Sequence, residues 1–312
     1  MSKIWKFLFN PRVRFDYLSR LGFLDRMSDI EYIKKKYYLS FNKQLDLDNP
    51  QTFNEKLQWL KLNDRKNIYT VMVDKYNVKE YVSGIIGKQY VIPTIGVFDS
   101  FNDIDLNKLP DQFVIKCTHD SGGLVVVDDK ENLDFDLVRK KISSCLRTNY
   151  YYCGREWPYK NVKPRIIVEK YLIDKKVAEL RDYKFFCFDG KVRFFKVDYN
   201  RFTDHQANYY DRNCSLLKFG EEVCPPDFKK KIIMPSSLKK MMKLAEKLSK
   251  DIPFVRVDFY DVNGDIYFGE MTFYPASGFG KFIPEEWDII IGEMLELPIG
   301  KEKNNENKTI LK

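Results

Sequence analysis

Phe254-Val255-Arg256-Val257-Asp258-Phe259-Tyr260, the turn Asn263-Gly264 and Ile266-Tyr267-Phe268-Gly269-Glu270 form the stretch on which the reading of this chain turns. Asn-Gly between two runs of β-branched and aromatic residues is a strong hairpin signal. Alternation along a strand puts Arg256 and Asp258 on one face, and Glu270 ends the partner strand, so two carboxylates and a guanidinium come together. Phe254, Val255, Val257, Phe259 and Phe268 leave little of the hairpin for solvent, which argues against a mere surface ion pair. Paired carboxylates on rigid strands suit a hard cation, and magnesium keeps phosphate oxygens in its shell. An arginine beside them can hold a phosphoryl group in transfer.

Outward toward the N-terminus, a second hairpin spans Tyr183 to Phe188 and Val192 to Val197 around Asp189-Gly190. Before it, Arg165 to Leu172 reads as a buried strand that turns polar at its end. There the main chain of Glu169, Lys170, Tyr171 and Leu172 can meet an adenine edge. Further back, Phe113 to Cys117 and Gly123 to Val127 are strands flanking Thr118-His119-Asp120-Ser121-Gly122-Gly123. Ser121, Gly122 and Gly123 at such a tip free backbone N–H groups for phosphate oxygens while Lys116 supplies charge; taken alone, Gly-Gly is usually only a turn. Tyr90 to Pro93 also reads as a short strand. Helical spacing covers Trp5 to about Tyr81, with a capping box at Thr52 and Glu55, and returns at Leu133 to Leu146 and Ser236 to Lys250.

The 312 residues, 44% of them hydrophobic, are enough for one or two compact units. No run of about 18 apolar residues exists, which excludes a membrane-spanning helix. The opening apolar stretch is short and lacks a small-residue cleavage site, so export is not expected. Six cysteines without CxxC spacing and two histidines argue against a zinc site and fit a reducing cytoplasm. The charge of +8 is spread along the chain, and no RNA-recognition, zinc-finger or basic-zipper signature accompanies it. Nucleic acid is therefore not an expected partner, whereas a polyanionic small molecule is compatible.

Taken in order, these pieces resemble the ATP-grasp superfamily over Asp74 to Trp287: the pair Asp74-Lys75, the lysine strand, the Ser-Gly-Gly loop, the Glu-Lys strand end, the Arg-x-Asp strand and the distal Glu. The closer resemblance is to the TupA-like (teichuronopeptide biosynthesis) ATP-grasp family. It is carried by Phe53-Asn54-Glu55-Lys56-Leu57-Gln58-Trp59, Cys117 to Gly123, Gly154-Arg155-Glu156-Trp157-Pro158-Tyr159-Lys160-Asn161 and Val257-Asp258-Phe259-Tyr260. The resemblance implies an α+β fold in which two subdomains grip ATP between antiparallel sheets. A helical N-terminal extension at 1–73 would precede a domain at 74–298, with 74–172 its first lobe, 173–298 its second, and a flexible tail at 299–312.

It also implies ATP and Mg2+ as cofactors. Lys75 and Lys116 would sit on the nucleotide phosphates, Ser121 to Gly123 over them, Glu169 to Leu172 at the adenine and Asp182 at the ribose. Lys184 would face the γ-phosphate, Arg256 the reacting phosphoryl group, and Asp258 and Glu270 the magnesium. Thr272 stands where the superfamily usually has an asparagine ligand, a poorer donor that puts a second magnesium in question. Helices replace the Rossmann-like domain that often precedes the grasp, so the acceptor site is expected to be built differently.

The implied chemistry is carboxylate–amine ligation through an acyl phosphate, in surface-polysaccharide assembly of capsular or teichuronic type. A kinase acting on a hydroxyl and a glycosyltransferase, the label such chains often carry, are the alternatives. The partners would be a small-molecule or saccharide carboxylate and an amine. Arg155, Trp157, Tyr159, Lys160, Arg201 and His205 are candidates for holding the acceptor, because anions and sugars favour guanidinium and aromatic faces. The expected location is the cytoplasm, with membrane contact at its inner face through Trp5, Phe7, Leu8 and Phe9.

Overall fold

Asn-Gly and Asp-Gly turns set the larger of two main sheets. Asp189 and Gly190 take φ of 44° and 72°, and Asn263 and Gly264 take 57° and 99°, the left-handed pair that matches strand twist in a two-residue hairpin. The structure, a computed structural model, describes residues 9–174, 180–200 and 203–300. Trp5, Phe7, Leu8 and the tail beyond 300 therefore lie outside the described residues, as does Arg201.

Five helices come first: α1 (Pro11–Arg20), α2 (Asp29–Phe41), α3 (Phe53–Asn63), α4 (Asn67–Val73) and α5 (Val78–Ile86). The capping box at Thr52 and Glu55 is present, and Ser28 with Glu31 forms a second one at the start of α2. A four-stranded antiparallel sheet follows, built from β1 (Thr94–Phe98), β2 (Phe113–Cys117), β3 (Leu124–Val127) and β4 (Ile166–Lys170) in the order β1-β4-β2-β3. Helix α6 (Phe135–Leu146) backs it, and the short α7 (Tyr151–Gly154) lies in the connection to β4. Tyr90 to Pro93 is not a strand. Lys88–Tyr90 forms a 3-10 turn, and pairing begins only after Pro93, whose ring nitrogen has no hydrogen to donate.

The second sheet has the order β11-β10-β5-β6-β7-β8, from β5 (Asp182–Phe188), β6 (Lys191–Tyr199), β7 (Gln206–Asp211), β8 (Leu216–Leu217), β10 (Phe254–Val262) and β11 (Asp265–Thr272). A two-stranded pair joins β9 (Gly220–Glu221) to β12 (Phe282–Ile283). Helices α8 (Leu238–Leu248) and α9 (Trp287–Glu293) complete the described residues, an α+β architecture with antiparallel sheets.

Each main sheet has its own core. Phe113, Ile115, Ile166 and Val168 pack with Val138 and Ile142 of α6. The larger core joins β5, β6 and β10 to α8 and also takes in Phe53, Leu57 and Leu60 of α3. Phe53 meets Phe254 edge-on at 4.9 Å between ring centroids. The helix that opens with the Phe53 motif is thus built into the core of the larger sheet.

Candidate functional site

Lys116 is the penultimate residue of β2, opposite Ile167 on β4 and Leu124 on β3, so its side chain leaves the sheet beside the Ser-Gly-Gly tip. Its Nζ lies 2.7 Å from Glu169 Oε2, and Lys79 from α5 pairs with Oε1. Burial would raise the Glu169 carboxyl, but Lys116 and Lys79 outweigh it and hold the group below its ordinary value. The Glu169 side chain is thereby committed to bridging two lysines, and the main chain of Glu169 and Lys170 is paired to β1 and β2, so of the four residues expected at an adenine edge Tyr171 and Leu172 lie past the strand end. Lys79 was not anticipated; its signal was its place four residues after Lys75.

In the loop, the Gly123 N–H donates to both oxygens of Asp120 at 3.0 and 2.9 Å. One of the amides expected to face phosphate is thus turned inward, because the buried Asp120 carboxylate needs donors. A Cβ at Gly123 would lie 2.8 Å from Cys117 Cβ, which explains the glycine. Ser121 and Gly122 form the exposed tip, and Ser121 Oγ donates to Tyr150 OH at 3.1 Å. Lys75 is fixed beside the loop: its N–H donates to Thr118 O at 3.0 Å and its Nζ to Asp120 O. Asp74 holds that corner by accepting from Tyr76 N at 2.9 Å and from Arg165 at 3.0 Å.

On the other sheet, pairing slips by one residue between Val257 and Phe259, so that β11 bulges opposite Asp258. A side chain at Gly269 would come within 3.2 Å of Asp258 O, so glycine permits the close approach there. Arg256 donates to Asp258 from Nε at 2.7 Å and Nη2 at 2.6 Å, and to Glu270 Oε1 at 2.9 Å. β11 continues past Glu270 to Thr272, whose Oγ1 lies 3.3 Å from Glu270 Oε1. The donor set is all oxygen, which fits a hard dication. Burial pushes Asp258 up to about 6 despite Arg256 and Lys184. Glu270 goes the other way: burial would raise it, but Arg256, Lys75, Lys184 and Lys116 together hold it below its ordinary value. Cations from both sheets therefore converge on this one carboxylate.

The polar face continues across β5 and β6. Lys184, opposite Asp258, donates to Asp198 and lies 3.5 Å from Asp182. Lys196 sits 2.7 Å from Glu221 and 3.5 Å from Asp198. Burial would raise the Asp198 carboxyl, but Lys196 and Lys184 depress it well below the ordinary carboxylate range. Lys196 and Asp198 were also missed, although their two-residue spacing on the strand facing Asp182 and Lys184 was readable. Asp198, His205 and Cys224 bring potential ligand atoms within 4.8 Å of one another. Two ammonium groups already flank Asp198 there and oppose a further cation.

The acceptor candidates divide. Arg155 is 1% exposed, donates to Leu24 O at 2.7 Å and Met27 O at 3.0 Å, and lies 4.5 Å from the Tyr32 ring centre. It fastens the first helices to α7 and cannot reach a substrate. Trp157 is half-buried and Lys160 is exposed over Tyr151, 5.2 Å from its ring centre. Tyr159 is half-buried with its ring centre 4.9 Å from that of Tyr150, and burial, Glu156, Tyr150 and Glu270 raise its phenol well above the ordinary value, against Arg256. His205 is half-exposed, with Nε2 3.6 Å from Asp198. Lys170, Tyr171 and Leu172 line an open cleft of about 1120 Å3 together with Asn263 and Tyr267 of the last hairpin.

Among solved structures the chain is similar to D-alanine–D-alanine ligases from Bacillus anthracis (20% identity, 65% of this chain and 57% of that one, TM-score 0.37) and Helicobacter pylori (16%, 72% and 62%, 0.37). It is also similar to phosphoribosylamine–glycine ligase from Thermotoga maritima (16%, 66% and 48%, 0.40). The chain thus spans less than two thirds of the length of these proteins. No curated protein matches it. The family model described as TupA-like ATP-grasp matches residues 55–296, well over half of the sequence, and the chain belongs to that family.

Proposed function

We infer that this chain is a Mg·ATP-dependent carboxylate–amine ligase that works through an acyl phosphate. The observation that carries this reading is the convergence of Lys75, Lys116, Lys184 and Arg256 on Glu270, with Asp258 on the adjacent strand. Four cations around two carboxylates suit a polyphosphate with its metal; Lys116 comes from the smaller sheet, Lys184 and Arg256 from the larger, and Lys75 from the turn between α4 and α5.

Lys116 and Lys75 would hold the phosphates under the Ser121–Gly122 tip, and Asp182 the ribose. Asp258 and Glu270, with Thr272 beside them, would hold Mg2+, which when bound polarises phosphoryl oxygens and offsets their charge. Arg256 and Lys184 would stabilise the transferring phosphoryl group. A carboxylate oxygen of the acceptor attacks the γ-phosphorus and ADP leaves. An amine then attacks the acyl carbon, and inorganic phosphate departs with the C–O electron pair. Tyr159, with Tyr150 next to it at 4.9 Å between ring centres, would line the acceptor side. Family membership supports a setting in surface-polysaccharide assembly, with a sugar acid or similar carboxylate as acceptor, in the cytoplasm.

The test is incubation with Mg·ATP, a panel of uronic and other carboxylic acids, and hydroxylamine in place of the amine. An acyl hydroxamate formed with stoichiometric ADP is the expected product. A stable phosphorylated product that needs no amine would identify a kinase instead.

A further inference from the structure

Glu169 is 4% exposed and bridges two ammonium groups, but the two are not held alike. Lys79, in the first turn of α5, is fastened twice: its Nζ pairs with Glu169 Oε1 and donates to Ile92 O at 2.7 Å, just before β1. The start of α5 is itself tied down, since Val78 N donates to Asp74 O at 2.9 Å and Lys75 N to Thr118 O at 3.0 Å. Lys116 is fastened once among the described residues, 2.7 Å from Glu169 Oε2, and its side chain is 20% exposed against 13% for Lys79. An ammonium group has three N–H donors, so Lys116 is the one with donors to give a ligand.

A polyphosphate under the Ser121–Gly122 tip would draw Lys116 away from Glu169. A carboxylate this deep, left without a cation, is an unpaired buried charge, which a protein relieves by taking up a proton. We propose that Lys79 is a positioning residue that holds the Glu169 carboxylate while Lys116 leaves it for the nucleotide phosphates. The proposal rests on the reading of Lys116 as a phosphate ligand.

The electrostatics around Glu169 support it. Burial would raise the carboxyl, and Lys116 and Lys79 are the charged groups that hold it below its ordinary value. Thr94 on β1 and Val114 on β2, its neighbours across the sheet, carry no charge. Without Lys79, Lys116 is claimed by two anions at once, the carboxylate and a phosphate. Glu169 can then release it only by taking a proton, so nucleotide binding becomes coupled to proton uptake and strengthens as pH falls. With Lys79 in place, the Glu169–Lys79 pair stays neutral overall and no proton is needed.

Calorimetric titration of the full chain with Mg2+ and a non-hydrolysable ATP analogue tests this, each variant being compared with the parent at the same pH so that titration of the analogue cancels. Lys79→Met should bind about tenfold more weakly than the parent at about pH 8 and only about twofold more weakly at about pH 6. Lys79→Met/Glu169→Gln should bind as Glu169→Gln alone does, because no buried carboxylate is then left without a partner. A loss in Lys79→Met that is equal at both pH values and persists beside Glu169→Gln would overturn the proposal, leaving Lys79 as a brace between α5 and Ile92 O. Binding like that of the parent in Lys79→Met would overturn it too. No binding by the parent itself would instead remove the nucleotide reading, and the proposal with it.

Discussion

Two charged regions of this molecule, both prominent as motifs in the chain, do opposite things with their charge. Around Glu270, cations from two sheets gather at a carboxylate whose side chain is still 46% exposed. Around Arg155 and Lys61, charges of the same kinds are sealed inside: Lys61 is 0% exposed and its Nζ donates to Gln58 Oε1, Gly154 O and Ser277 O, while Glu156 accepts from Ser277 Oγ. The first region has valence left for a ligand. The second has committed its donors to joining α3, α7 and the turn at Pro275–Gly278, where Ala276 and Ser277 take φ of 48° and 53°. A motif rich in charge can thus mark framework as readily as chemistry, and the number of donors left over separates the two.

The largest expected effect lies in the first region. Asp258→Asn keeps shape but removes the charge that would hold Mg2+, so ATP-dependent turnover should fall roughly a hundred- to thousandfold while nucleotide still binds. Steady-state ADP release beside a binding titration checks both halves. In the second region, Arg155→Met should cost about 3 kcal/mol in a denaturant titration, because it strands the part-buried carbonyls Leu24 O and Met27 O. Its affinity for nucleotide should change less than about twofold. If turnover collapsed in that variant at unchanged stability, the division between the regions would be wrong.

A smaller effect is expected at Lys116→Met, which should weaken ATP binding about tenfold through loss of one charge-assisted phosphate contact. Glu169→Gln should follow in the same direction with less loss, since Lys116 and Lys79 remain. The smallest effect is in pH dependence. Asp198 has a folded pKa below its ordinary 3.8, so its contribution to stability is complete above that value and disappears as pH falls toward the folded pKa. The thermal midpoint should drop as pH falls below about 4, and Asp198→Asn should flatten that decline.

Much of the first region was legible because it is local. Asn263-Gly264 announces its own hairpin, and alternation puts Arg256 beside Asp258 whatever the rest of the chain does. The loop at Ser121 to Gly123 was legible in place but not in direction: whether an amide faces outward or into Asp120 depends on a side chain folding back within the turn. The Glu169 bridge was hidden for a similar reason, since Lys79 reaches it from a helix ninety residues earlier in the chain. Arg155 could not be placed at all from its own stretch. Its partners Leu24 and Met27 lie between the first two helices and Tyr32 in the second, and an arginine among aromatic residues reads alike whether the rings face a substrate or another helix. Strand β7 was missed because Gln206 to Asp211 has a mixed polar pattern and closes no tight turn with β6.

The central claim is that Lys116 and Glu270 face one another across a site for Mg·ATP. Calorimetric titration with a non-hydrolysable ATP analogue tests it most directly, with and without Mg2+, on the parent chain and on Glu270→Gln. Binding that strengthens with Mg2+ in the parent, and loses that dependence in the variant, is the result predicted here. Binding indifferent to Mg2+ in both, or no binding in the parent, would contradict it.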